Sequence, residues 1–148
     1  MTTGDARDRW QSALQATLAA FTADAGTIHL LDDQSLVLVA HVGMPDTLLP
    51  TIDRIPVGKG MAGLAAQRNV PVDSCDIQTD ETGDVMPGAR ATSLKGALAV
   101  PMRGREGSVA GVLGIGALTD REWSVDARAR LLTRAAELVR GAPGPEGL

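Results

Sequence analysis

Aromatic side chains are almost absent from this chain. Its 148 residues include Trp10, Phe21 and Trp123 and no tyrosine. Proteins that hold single-stranded nucleic acid stack bases on aromatic rings along a basic groove. Lysine and arginine form no run here, and the formal net charge is −4. The composition therefore argues against a nucleic-acid partner. No apolar stretch reaches the length of a membrane span, which argues against a membrane partner. The first ten residues, MTTGDARDRW, have neither a basic start nor an apolar signal core. Cys75 is the only cysteine, so no internal disulfide can form. Both features lead to the expectation of a cytoplasmic protein.

Hydrophobic residues make up 44 % of the chain, enough for the core of one domain. Residues 1–140 are read as that domain, and 141–148, GAPGPEGL, as a disordered tail. Trp10, Ala13, Leu14, Leu18 and Phe21 fall at helical spacing and predict a helix from Asp5 to Phe21. Thr27–Leu31 and Leu36–Val42 predict a hairpin. Both strands are apolar at nearly every position, so their sheet should be covered on both faces. A short helical turn is expected near Asp46–Leu49, an extended Ile55–Val57, a helix over Gly60–Arg68, and a strand from Pro71 to about Asp76. A long connection runs from Ile77 to Thr92, a length associated with functional loops. A second hairpin pairs Gly96–Met102 with Val109–Leu118, and Ser124 should cap a last helix reaching about Arg140. The order predicts an α+β fold: a central antiparallel sheet, the terminal helices on one face, and residues 44–92 as a looped pocket on the other.

Several pieces resemble a GAF domain, the small-molecule sensor fold related to PAS. They are ADAGTIHLLDDQSLVLVAHVG (23–43), IPVGKGMAGLAAQRNVPV (55–72), GALAVPM (96–102), GSVAGVLGIGA (107–117) and REWSVDARARLL (121–132). The ordered set is more specific than any one piece. The resemblance implies a ligand pocket formed by loops and a short helix. It also brings enzymes into view, because the free methionine-(R)-sulfoxide reductases share the fold and need a nucleophilic and a resolving thiol. Where that subset implies a cysteine beside the short helix, this chain has Met61 and Ala62, and its only thiol is Cys75. The reductase reading is therefore disfavoured. Bilin attachment is weakly suggested by DSCD (73–76), but Asp76 stands where an aromatic is implied. The cyclic-nucleotide signature of the family is missing, and no aromatic in the central region could stack a purine.

Gly58-Lys59-Gly60 is not a phosphate loop, because the spacing is wrong and no Ser or Thr follows Lys59. It reads as a tight turn opening a helix, with Gly58 and Gly60 free to take positive φ. The helix start at Gly60 and Met61 still offers N–H groups to an anion. Arg90 and Lys95 flank Thr92 and Ser93 where the chain should pass over the pocket. Arg90 either contacts a ligand or pairs with the acidic loop that includes Asp80. Cys75 reads as a small, partly buried strand residue. His29 and His41 read as hydrogen-bonded sheet residues, short of a metal or haem site. Asp73, Asp76, Asp80, Glu81 and Asp84 do not match a calcium loop and read as a solvated face. Gly114 and Gly116 leave room for a ligand or a helix, and the alanines of the last helix favour the helix.

The expected function is that of a non-enzymatic sensor for an unknown small molecule, polar or anionic, with no cofactor and no metal. Its candidate ligand residues are Lys59, Gly60, Met61, Cys75, Asp80, Arg90, Thr92 and Lys95. Output is expected through a partner or a homodimer joined by the terminal helices, with Trp10 and Trp123 as anchors. A dimerisation module without a ligand is the remaining alternative.

Overall fold

In the computed structural model, residues 3–80, 82, 83, 85 and 92–140 are described. The expected tail, Arg90, Glu81 and Asp84 lie outside them. The chain opens with α1 (Thr3–Phe21) and the hairpin of β1 (Ala25–Asp32) and β2 (Ser35–Val42). Then come α2 (Leu49–Ile52), β3 (Arg54–Pro56), α3 (Gly60–Arg68) and β4 (Val72–Ser74). A second hairpin of β5 (Ala97–Arg103) and β6 (Val109–Gly116) precedes α4 (Val125–Arg140). All strand pairs are antiparallel, in the order β3-β2-β1-β6-β5-β4. The α+β architecture read from the sequence is the one observed.

The sheet is buried on both faces, as its strand composition requires. On one face, Trp10, Leu14, Leu18 and Phe21 of α1 pack with Leu131 and Ala135 of α4. They meet Ile28, Leu30, Leu98, Val100, Leu113 and Ile115 from the strands. Ser124 Oγ accepts the Ala127 N–H at 3.0 Å, the expected N-cap of α4. On the other face, Leu36, Ile55, Val72, Ala99 and Val112 pack beneath α3. A third apolar group there joins Ala25, Ile77, Val85 and Leu94. The described part of residues 44–92 therefore supplies the second cover.

Three local expectations shift. The helical turn sits at Leu49–Ile52 rather than 46–49, because Pro50 belongs in a first helical turn. Gly114 and Gly116 do not receive a helix. A Cβ on Gly114 would meet Thr27 Oγ1 at 3.2 Å, and one on Gly116 would meet the Leu94 side chain at 3.0 Å. Alternation along β6 turns both positions away from α4, toward the loop face. Trp10 and Trp123 are 2 % and 3 % exposed, so they build the core of the chain itself rather than the outer face of its helices.

Candidate functional site

The stretch that opens α3 behaves as a turn followed by a helix. Gly58 and Gly60 take φ of +94° and +66°, which side chains resist. Lys59 is the N-cap residue and makes no side-chain cap bond. At the other end, Asn69 ends α3 in the left-handed conformation. Arg103 binds Asn69 through Nε to Oδ1 at 2.9 Å and through a terminal nitrogen to the carbonyl at 2.6 Å. The short helix is thus tied to β5 at its far end, with its start directed to the cavity described next.

Between the sheet and this cover lies a cavity of ≈ 160 Å³. Its floor includes Thr27 and His29 of β1 and Gly114 and Gly116 of β6. The two glycines leave space there that side chains would fill. The α3 start contributes Lys59, Gly60 and Met61, and α2 contributes Thr51 and Ile52. The long connection contributes Ile77, Val85 and Thr92, and Leu94 follows just beyond it. Its described parts therefore form a wall over the cavity, as expected of a lid.

That wall is anchored at both ends. Ile77 N–H donates to the Lys95 carbonyl at 2.8 Å. Gln78 Nε2 donates to the Thr92 and Leu94 carbonyls at 2.9 and 2.7 Å. Leu94 N–H in turn donates to Thr92 Oγ1 at 3.2 Å. One glutamine thus bridges the entry and exit of the connection.

His29 is the polar side chain most deeply set in the cavity wall, at 1 % exposed. Its Nε2 lies 2.8 Å from the carbonyl oxygen of Ile52, at the end of α2. A carbonyl only accepts, so Nε2 carries the proton and Nδ1 is left as an acceptor in the neutral ring. Nδ1 is buried and has no hydrogen-bond partner among the described residues. Burial pushes the His29 pKa down from 6.5, against a smaller upward pull from the Ile52 bond. The local sheet geometry is also irregular. The register between β1 and β2 shifts at Ile28/His29, leaving Val39 as the extra residue opposite them. Such bulges re-aim side chains near functional sites. Just beyond it, Leu38 N–H donates to the Asp53 carbonyl at 2.9 Å, a second tie to the end of α2.

Of the eight candidate residues, Lys59, Gly60, Met61 and Thr92 line the cavity. Arg90 lies outside the described residues. Lys95 does not line it: its ammonium turns out to Asp120 at 3.6 Å, and only its backbone carbonyl meets the connection, at the Ile77 N–H. Asp80 accepts Ser74 Oγ at 2.7 Å and the Thr82 N–H at 2.9 Å, which ties the loop to β4 rather than to the cavity. Cys75 is exposed, not partly buried. β4 alternates inward at Val72 and Ser74, and the same period turns position 75 out to solvent. No group of acidic, His or Cys side chains among the described residues could hold a metal ion. No helix among them is long and apolar enough to cross a membrane.

Of the other lining residues, sequence reasoning does not single out Thr27 and Thr51, reads His29 only as a hydrogen-bonded sheet residue, and assigns Gly114 and Gly116 to helix packing. A histidine amid the Ile28, Leu30 and Leu31 of a largely apolar strand is the available signal for His29.

A family model described as a GAF domain matches residues 5–142. Comparison with curated proteins returns no match. Among solved structures, the chain resembles a type II free methionine-R-sulfoxide reductase from Thermoplasma acidophilum. The TM-score is 0.72 at 24 % identity, covering 91 % of this chain and 90 % of that one. It also resembles the GAF domain of a phosphoenolpyruvate-protein phosphotransferase from Coxiella burnetii, with a TM-score of 0.71, 24 % identity, and 86 % and 76 % covered. The GAF domain region of a putative membrane protein from Geobacter sulfurreducens PCA gives a TM-score of 0.74 at 17 % identity, with 93 % of each chain covered. At these identities the likeness is one of fold.

Proposed function

The chain belongs to the GAF domain family, and on that premise we propose that it is a non-enzymatic sensor. It binds a small molecule between its sheet and the cover formed by α2, α3 and the long connection. The observation that supports this reading is the cavity, which has a mainly apolar lining and a few polar groups, the usual makeup of a ligand site. Output passes to a partner or to a second copy through the helical face. Such a dimer would rest on residues other than Trp10 and Trp123, which are buried.

The reductase-like neighbours supply the competing reading. Against it stands the position of the one thiol: Cys75 is exposed and lies outside the cavity lining. A single thiol can form a sulfenic acid but needs a second to resolve it. The protein should therefore show no thiol-dependent reduction of free methionine-(R)-sulfoxide. Turnover that disappears in Cys75→Ser would overturn the sensor reading. Native mass spectrometry of the purified protein should in turn detect a retained small molecule. Gly114→Val should lose that mass while remaining folded, because the new side chain grows into the cavity past Thr27. Valine suits a strand better than glycine by up to about 1 kcal/mol, and the 3.2 Å approach of its Cβ to Thr27 Oγ1 offsets that gain, so stability should stay close to that of the parent.

A further inference from the structure

The chemistry of the ligand follows from three properties of the cavity: its size, its lining and the state of His29. A cavity of ≈ 160 Å³ matches the roughly 150 Å³ apolar cavities known to hold one benzene ring. The lining is dominated by side chains such as Met44, Leu48, Ile55, Met61, Leu94 and Ile115. Among the described lining residues Lys59 is the one cation, and it is exposed. A buried carboxylate or phosphate needs a paired charge, and a solvated ammonium at the rim supplies little of one. An uncharged ligand meets no such penalty. The histidine ring then decides which uncharged ligand. Its Nε2–H is committed to Ile52, and Nδ1 is a buried acceptor without a partner among the described residues. Buried acceptors in native proteins are nearly always satisfied.

We infer that the cavity takes a small, uncharged, mainly apolar ligand of single-ring size, whose one O–H or N–H group donates a hydrogen bond to His29 Nδ1. The inference rests on the sensor reading and narrows it. His29 is then a bifunctional contact: one ring nitrogen holds the end of α2 and the other reads the ligand. Occupancy therefore bears directly on the helix that covers the cavity. The hydroxyls of Thr27 and Thr92 are further polar groups of the lining.

Three probes of similar size separate the alternatives: phenol, toluene and benzoate. In an apolar cavity without an acceptor, phenol loses hydration for nothing and binds more weakly than toluene. With Nδ1 accepting its proton, phenol should bind about 5- to 10-fold more tightly than toluene by calorimetry, and benzoate should be weakest. A direct signature comes from the ring itself. The chain has two histidines, so His41→Gln leaves His29 as the only imidazole in a long-range proton–nitrogen spectrum. His41 meets Gln11 through its backbone and does not line the cavity. Phenol should shift the Nδ1 resonance, and toluene should leave it nearly in place. His29→Leu should reverse the phenol–toluene order; if that variant fails to fold, the ring spectrum decides.

Toluene binding as tightly as phenol, or phenol binding with Nδ1 unmoved, would overturn the assignment. Benzoate binding most tightly would replace it with an anion site at the α3 start and leave the sensor reading standing. If no probe binds while native mass spectrometry finds a retained molecule, the ligand class is wrong and the sensor survives. If no probe binds and no molecule is retained, both fail.

Discussion

A neutral imidazole held in the wall of an apolar cavity makes His29 a titrating weak point. Its pKa is lowered by burial, so below the ordinary value of 6.5 the unfolded chain takes up a proton that the folded chain refuses. The unfolded state then binds more protons, and stability falls as pH falls. The contribution is fully present above pH 6.5 and is lost progressively on acidification toward the lower, folded-state pKa. Urea midpoints measured between pH 7.5 and 5.5, an illustrative range spanning about one unit either side of a free histidine, should decline with acid. The decline should be shallower in His29→Gln, which has no proton to take up. Equal midpoints across that range in the parent protein would contradict the burial argument. Cys75 carries the opposite lesson. Its type suggested chemistry, and only the alternation of a three-residue strand placed it on the surface.

Helix α3 is held closer to its neighbours than a larger residue would permit. A Cβ on Gly63 would stand 2.6 Å from the Pro56 carbonyl oxygen and 3.0 Å from the Gly58 nitrogen, both backbone atoms that cannot swing aside. Gly63→Ala gains up to about 1 kcal/mol of helix propensity. Overpacking costs about 1–3 kcal/mol, and the clash should win, leaving a net loss in urea unfolding. A more stable Gly63→Ala protein would mean that α3 has room to move. The bounds of α3, Gly60–Arg68, were legible because positive-φ glycines and a helical run are local signals. The two hairpins were legible for the same reason, through apolar strands and polar turns. The cavity was legible only in outline. Loose cover by Gly- and Pro-rich chain implied a space, but its lining depends on register. The pairing of Thr27 with Gly114 joins strands distant in sequence, and the bulge at Val39, though inside a hairpin, leaves no mark in the apolar pattern of its strands. Lys95 shows the limit. One residue's position decides whether a lysine faces a ligand or Asp120, and composition carries no such information.

Both tryptophans lie in the one apolar core that α1, α4 and the sheet share. A fold whose strands, helices and chromophores share a core should unfold in one step. Tryptophan fluorescence and far-ultraviolet circular dichroism should therefore give coincident denaturation curves. A fluorescence change that precedes the loss of circular dichroism would show that the helical layer separates from the sheet. A bound ligand should raise the common midpoint by mass action, by about 2.7 kcal/mol at a hundredfold excess over its Kd. The layering also sets how far a message must travel. His29 faces the cavity, while Ile28 and Leu30, its neighbours along the same strand, reach through to the helices. For the proposed sensor, reception and transmission would therefore be opposite sides of one peptide backbone. In the proposed sensor, a ligand that moved the ring at the Ile28/His29 irregularity would meet the packing of α1 and α4 without any relay of intermediate residues. Such a sensor would work as a thin diaphragm, stirred on one surface and heard on the other.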